Sequence, residues 1–251
     1  MKNDLVRYTV KKGAVPNMIV TAVVSAVIAL AVIIIAAIFG DVDKDDNTIH
    51  NITTAFVMFW GFISSFAVCT ASFNSSICFN RSRKSAIKAA FISLLISTVV
   101  CSAVNLGIEA VVAGFSKTFD FNYSFTPLIK AFGVLKVNND VGGLLLAYGF
   151  HMLLYYLVSV TGMLIMCACM KFGKWAWIGF WGVYMLAFLL GKSVVKGFKE
   201  FTVNAFGSVG MTVLCLAIVL SALFTVLTIL LMRKTELNKK TLLFGNGYRR
   251  A

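Results

Sequence analysis

The chain has 251 residues, of which 59% are hydrophobic and only 13% are charged, and its mean hydropathy is +0.88. Soluble domains carry about 25% charged residues, so a water-soluble fold of this size could not cover its surface with so few. The formal net charge of +13 comes from cations that cluster at the ends of apolar stretches. This distribution is typical of an oriented membrane protein and argues against binding of nucleic acid.

The N-terminal segment, residues 1–17, is basic and partly apolar, and Pro16 closes it. We expect Val6–Val15 to lie in the membrane interface as a short amphipathic helix. The first apolar stretch, Met18–Phe39, is too long for the apolar region of a cleavable signal peptide. We therefore expect it to remain as a spanning helix, followed by an acidic external loop at Gly40–Asp46.

Six apolar stretches have about the length needed to cross the roughly 30 Å hydrocarbon core of a bilayer. Backbone groups in lipid must hydrogen-bond within their own segment, so all six are predicted to be helices. Strands of a membrane barrel alternate in polarity over about ten residues, and these stretches do not alternate. The predicted spans form one permease domain, whose membrane region is residues 18–232; they are Met18–Phe39, Ile52–Phe73, Ala86–Phe115, Leu144–Met170, Trp175–Leu190 and Ala205–Met232.

The Lys and Arg residues between the predicted spans indicate the orientation. If the N-terminus is on side one, that side receives 16 cations and the opposite side receives 7. Cytoplasmic loops of membrane proteins carry the excess of Lys and Arg. Both termini, including the basic tail of residues 233–251, are therefore predicted to be cytoplasmic. The predicted fold class is an all-α integral membrane protein with six transmembrane helices.

Two external regions stand out. Ser116–Gly143 is the longest predicted loop, and its aromatic residues suggest that it packs on another part of the protein. The last apolar stretch exceeds one span, and its outer part, Asn204–Gly210, is rich in glycine. Together with Lys192–Val203 it is predicted to form a short re-entrant element before the sixth helix, where protein or water must cover any non-helical backbone.

The residues give little sign of catalytic or metal chemistry. The six cysteines lie in apolar stretches or at their edges, so we expect buried thiols rather than a disulfide framework. The sequence has no HExxH motif, and His50 has no ligand partners nearby. A nucleophile with a base in reach, which covalent catalysis needs, is not evident. We expect no catalytic residues, no metal site and no cofactor bound by this chain.

Two ionisable residues occur well inside the predicted spans, Glu109 in the third and His151 in the fourth. Since these spans are antiparallel, the two residues are predicted to lie at similar depth in the outer half of the membrane, where a charge costs less than the roughly 3 kcal/mol of the centre. Three interpretations stay open: a structural hydrogen bond, the lining of an aqueous or substrate vestibule, and a proton relay. The candidate polar group comprises Asn105, Glu109, Tyr148, His151, Tyr155 and Ser159.

A basic turn interrupts the apolar sequence between the second and third predicted spans. Ser76–Lys88 contains four cations, Arg81, Arg83, Lys84 and Lys88, and no acidic residue. The turn is predicted to face the cytoplasm and to hold the topology. There its cations can contact anionic lipid headgroups at about 1 kcal/mol each.

The stretch Phe73–Phe91 resembles a turn of small bacterial permeases of the ABC-2 transporter type, at the end of their second hydrophobic helix. Ser82, Arg83 and Lys84 match the core of that turn, and Asn80 stands where the family usually has glycine. The six-span plan, the basic N-terminal segment, the broken element before the last span and the basic tail are similar as well.

The resemblance implies a membrane subunit without an ATPase of its own. Two permease subunits would pair, as a homodimer or a related heterodimer, and each would dock a separate cytoplasmic ABC ATPase that binds ATP and Mg. The turn between spans two and three would rest in a groove of that ATPase and transmit its movement. The implied coupling turn comprises Phe79, Asn80, Arg81, Ser82, Arg83, Lys84 and Lys88.

On this resemblance we expect the permease subunit of an exporter in a bacterial plasma membrane, with a hydrophobic or amphipathic cargo such as a peptide, toxin or drug. One alternative is a self-contained secondary transporter or channel that uses Glu109 and His151, and it predicts proton-coupled flux by this chain alone. Another is a membrane immunity or scaffold protein, which would protect the cell without ATP turnover by a partner.

Overall fold

The computed structural model describes residues 4–39, 48–78, 82–118, 141–186, 189 and 209–234. Over these residues the ordered elements are helices, and no strand is present. In chain order they are α1 (Asp4–Thr9), a π-helical turn (Val10–Ala14), α2 (Val15–Phe39), α3 (Thr48–Cys78), α4 (Arg83–Thr118), α5 (Val141–Phe172), α6 (174–186) and α7 (Val209–Lys234).

Five helices within the described ranges have the length and apolar composition to cross a membrane. The predicted all-helical fold is confirmed, and its character is that of a multi-pass membrane protein. The candidate spans are Leu5–Ile28, Phe56–Asn74, Arg83–Ile108, Leu145–Phe172 and Thr212–Arg233.

A sixth span stays a prediction, because Trp175–Leu190 runs past the described part of α6. The acidic loop at Gly40–Asp46 lies outside the described residues, and so does nearly all of the loop within Ser116–Gly143. The re-entrant element also falls there, apart from its last two residues, which begin α7.

Residues 4–39 form one continuous helical run that passes through Pro16. Proline has no N–H group, and its ring clashes with the carbonyl four residues earlier. Directly before Pro16 the helix widens into the π turn, in which the Val15 N–H donates to the Val10 carbonyl, five residues back. This change of hydrogen-bond register accommodates the ring. Leu5 and Thr9 are buried by α3 and α4; an interfacial position for residues 1–17 stays a prediction.

Helices α3 and α5 pack closely at two glycines. A Cβ atom on Gly162 of α5 would lie 2.5 Å from the carbonyl oxygen of Phe62 and would also collide with the Ser65 hydroxyl. On α3, the Tyr155 ring lies over Gly61, where a Cβ atom would come within 2.8 Å of the ring. Small residues let membrane helices approach closely and gain packing energy.

Apolar contacts fill the rest of the interior. Near the junction of α3 with α4, side chains from four helices form an inner cluster, which comprises Cys69, Phe73, Ala90, Leu94, Met163, Cys167 and Met232. Along α6, Phe180 stacks on Phe62 of α3 at 6.1 Å between ring centroids, and Trp177 meets Phe66 edge-on at 6.3 Å. The apolar residues exposed along α2, such as Ile19, Val23 and Val27, recur every turn, as expected for a face in contact with lipid.

We expect Gly162→Ala to destabilise the protein by about 1–3 kcal/mol, because the new methyl group meets backbone that cannot move aside. Gly149→Ala on the same helix is the matched control, since nothing lies within 4 Å of its added Cβ. Thermal unfolding of the purified variants in detergent measures the difference. Equal melting temperatures for the two variants would contradict the close α3–α5 packing.

Candidate functional site

A group of buried polar side chains lies in the bundle interior between α2, α3, α4 and α5. The Cys101 thiol of α4 donates to the Thr21 hydroxyl of α2 at 3.5 Å. The Ser97 hydroxyl, one turn earlier on α4, lies 3.8 Å from the Cys101 sulfur. Tyr155 of α5 packs in the same cluster as Cys101 and is 3% exposed. We refer to these four residues as the central polar group.

Four of the six predicted polar residues are buried in the bundle: Asn105, His151, Tyr155 and Ser159. Asn105 lies one turn beyond Cys101 on α4, and His151 lies one turn before Tyr155 on α5, so both extend the central polar group. Ser159 makes a long contact of 3.5 Å to the Gly61 carbonyl on α3. The sequence pattern thus identified an interior face of α5.

The other two predicted residues differ. The Tyr148 hydroxyl donates to the Val99 carbonyl of α4 at 3.0 Å in an exposed position, so Tyr148 links two helices from outside the interior. The side chain of Glu109 lies outside the described residues, and its role stays a prediction.

Many buried hydroxyls in the bundle are satisfied by their own helices. The Thr98 hydroxyl donates to the Leu94 carbonyl at 2.8 Å, and Ser64 donates to the Gly61 carbonyl at 2.9 Å. The same pattern recurs on α1, α3, α5 and α7, at Thr9, Ser65, Thr70, Ser72, Thr161, Thr225 and Thr228. Such hydroxyls have no need of water or cargo, which favours a structural role for them.

Five buried hydroxyls have no hydrogen-bond partner within the described ranges, and Ser25, Ser102 and Tyr155 are among them. Leaving a buried donor unsatisfied costs about 1–3 kcal/mol, and an ordered water or a polar group of a ligand removes that cost. These positions, from α2, α4 and α5, are where the interior can bind a polar atom.

A pair of thiols in the inner cluster was not foreseen from the sequence. The sulfur atoms of Cys69 and Cys167 lie 3.5 Å apart, and both residues are fully buried. The expectation of buried thiols holds for these two and for Cys101, whereas Cys169 is half-buried and Cys215 is exposed. Among the described residues, no group of three His, Cys, Asp or Glu side chains could hold a metal ion.

The predicted coupling turn is described from Ser82 onwards; Phe79, Asn80 and Arg81 lie outside the described residues. Ser82 caps α4, since its carbonyl accepts the Ser85 N–H at 2.9 Å and its hydroxyl lies 3.4 Å from the same nitrogen. A serine before the first helical turn is a preferred cap because it satisfies N–H groups that the helix leaves open. The cap fixes where the turn ends and α4 begins.

The side chain of Arg83, the first residue of α4, reaches the end of α7. Its Nη1 donates to the Arg233 carbonyl at 3.1 Å, where the last carbonyls of a helix lack partners. We refer to this contact as the α4–α7 junction. Lys84 and Lys88 are exposed and project from the same end of α4.

The cationic residues whose side chains the structure describes lie toward this end of the bundle. They are nine in number: Arg7, Lys11, Lys12, Arg83, Lys84, Lys88, Lys171, Lys174 and Arg233. No acidic residue is among the side chains that the structure describes. The side chains of the seven cations predicted for the opposite side lie outside the described residues, so the charge asymmetry between the two sides stays a prediction.

Comparison of the chain with protein-family models, with curated proteins and with solved structures finds no match. The resemblance to ABC-2 permeases thus depends on the sequence motif and the predicted plan, and it remains a hypothesis.

We expect Tyr155→Phe to keep or slightly raise the stability of the protein. The substitution retains the ring that packs on Gly61 and removes a buried hydroxyl that has no partner among the described residues. Tyr155→Ala, which deletes the ring, should cost about 3–5 kcal/mol. Thermal unfolding in detergent separates the two. A large loss of stability in Tyr155→Phe would show that the hydroxyl already has a strong structural partner.

Proposed function

We propose that this chain is the permease subunit of an ATP-driven exporter in a bacterial plasma membrane. It has six transmembrane helices, with Trp175–Leu190 as the fifth, a re-entrant element before the last, and both termini in the cytoplasm. It pairs with a second permease subunit, and each copy docks a separate ABC ATPase that binds ATP and Mg.

The observation that carries the proposal is the basic turn between two long candidate spans. Ser82, Arg83 and Lys84 match the coupling-turn pattern and are exposed at the cationic end of the bundle. The cap at Ser82 begins α4 directly at the turn, so a force applied there acts on a helix of 36 residues. Rigid helices carry such displacement across the membrane.

The interior suits a cargo that is mainly apolar. The inner cluster is apolar apart from its thiols and thioethers, and many buried hydroxyls are satisfied locally. Those that have no partner within the described ranges, such as Tyr155 and Ser25, offer single polar contacts. This composition supports a hydrophobic or amphipathic molecule, such as a peptide, toxin or drug.

A second candidate function is a self-contained secondary transporter. It is favoured by the burial of His151 and Asn105 next to the central polar group, because ionisable residues inside membrane bundles often line ion pathways. Flux through liposomes that contain only this chain would support it. A requirement for ATP and an ATPase supports the exporter.

Arg83→Glu combined with Lys84→Glu should lower co-purification of the chain with its proposed ABC ATPase, and ATP-driven cargo flux, by at least about tenfold. The reason is that reversed charge at a docking surface costs several kcal/mol. Affinity purification from cells that express both chains measures binding, and reconstituted liposomes measure flux.

The control for this experiment is Lys171→Glu combined with Lys174→Glu. It changes the charge of the cationic end by the same amount but lies at the turn from α5 to α6. Equal effects from the two pairs would contradict a specific coupling turn. Failure of the unaltered chain to bind any ATPase would refute the proposed function.

The proposed orientation predicts where single cysteines react. In a chain whose native cysteines are replaced, Ser82→Cys should react with a membrane-impermeant maleimide only after the cells are made permeable. Asp43→Cys, in the predicted external loop, should react in intact cells. The reverse pattern would place the basic turn outside the cell and exclude its contact with an ATPase.

A further inference from the structure

The α4–α7 junction brings like charges together. The Arg83 guanidinium reaches the backbone of Arg233, itself a cationic residue, and Lys84 follows Arg83 in the chain. Guanidinium groups carry five N–H donors, and the Arg233 carbonyl accepts from Nη1 alone. The remaining donors of Arg83 and the two neighbouring cations are exposed to the surroundings.

No acidic residue is among the side chains that the structure describes. Like charges at such close range repel each other, and an anion between them removes that cost. Arginine binds phosphate oxygens with two parallel hydrogen bonds. The junction therefore has the charge and the donor geometry for a phosphate group.

The depth of the junction in the membrane indicates whether the bound phosphate belongs to a lipid or is a free ion. Arg83 is the first residue of the candidate span Arg83–Ile108, and Arg233 is the last residue of Thr212–Arg233. Both residues thus lie where apolar helix gives way to polar surroundings, which is the level of the lipid headgroups. A lipid phosphate is present there at high local concentration, whereas a free phosphate is not.

We infer that the α4–α7 junction binds the headgroup phosphate of an anionic phospholipid, through Arg83, Lys84 and the side chain of Arg233. The lipid tails lie along the apolar outer surfaces of α4 and α7, where Leu95, Val226 and Leu230 are exposed. This binding needs no ATPase and is tested on the chain alone, although Arg83 and Lys84 also belong to the proposed coupling turn.

The test uses the purified full chain in detergent, titrated with phosphatidylglycerol or with zwitterionic phosphatidylcholine and followed by native mass spectrometry. The variant combines Lys84→Gln with Arg233→Gln, which removes two cations but keeps the carbonyl that accepts the Arg83 hydrogen bond. The control combines Lys171→Gln with Lys174→Gln and removes the same charge from the same end. Inorganic phosphate is the competitor.

One cation near an anionic lipid contributes about a fivefold change in affinity at low ionic strength. The junction variant should therefore lose about 30-fold in its preference for phosphatidylglycerol, and the control less than about fivefold. Equal losses would mean that the lipid responds only to net charge and would overturn the site. The site is also excluded if the unaltered chain shows no preference, or if inorganic phosphate displaces the lipid completely.

Discussion

The bundle depends on how closely α3 and α5 can approach each other. Lipid is as apolar as leucine, so helices in a membrane gain little from the hydrophobic effect and associate through packing and hydrogen bonds. That packing comes from two contacts: Gly162 lies against the Phe62 carbonyl, and the Tyr155 ring lies over Gly61. The same approach brings Cys69 within 3.5 Å of Cys167 and holds the α5 polar face in the interior.

Polar residues inside this bundle are of two kinds. A serine or threonine whose hydroxyl bonds to the preceding turn of its own helix, as Thr98 does, adds little polarity to the interior. Asn105 and His151 cannot be satisfied in this way alone, since amide and imidazole groups each offer more than one polar atom. This distinction separates the hydroxyls that are bonded to their own helix from a small group of polar residues around Tyr155. Any path for cargo or protons through the bundle would have to start from that group.

Hydropathy predicted where the apolar helices are, but not where they end. The third predicted span was Ala86–Phe115, whereas α4 is Arg83–Thr118, because caps and polar turns extend a helix beyond its apolar centre. A separate N-terminal helix, Val6–Val15, was expected to end at Pro16. The π turn at Val10–Ala14 instead lets the helix continue through the proline. Periodicity found the buried face of α5. Tyr148, from the same predicted group, forms a hydrogen bond between α5 and α4, and an interhelical bond is one of the interpretations left open for that group.

The α4–α7 junction joins residues 150 positions apart, so no local sequence pattern could predict it. The contact also determines which helices would move when the basic turn moves. Near the end of α7, Met232 packs in the inner cluster, and the Thr225 hydroxyl is bonded to Tyr156 of α5 at 2.9 Å. A displacement of Arg83 would therefore reach α7 and α5 as well as α3 and α4. By linkage, a lipid phosphate that contacts Arg83 and Arg233 together stabilises the arrangement in which they are adjacent. Anionic lipid and nucleotide-driven movement would then act on the same equilibrium, with the lipid favouring the joined state of α4 and α7.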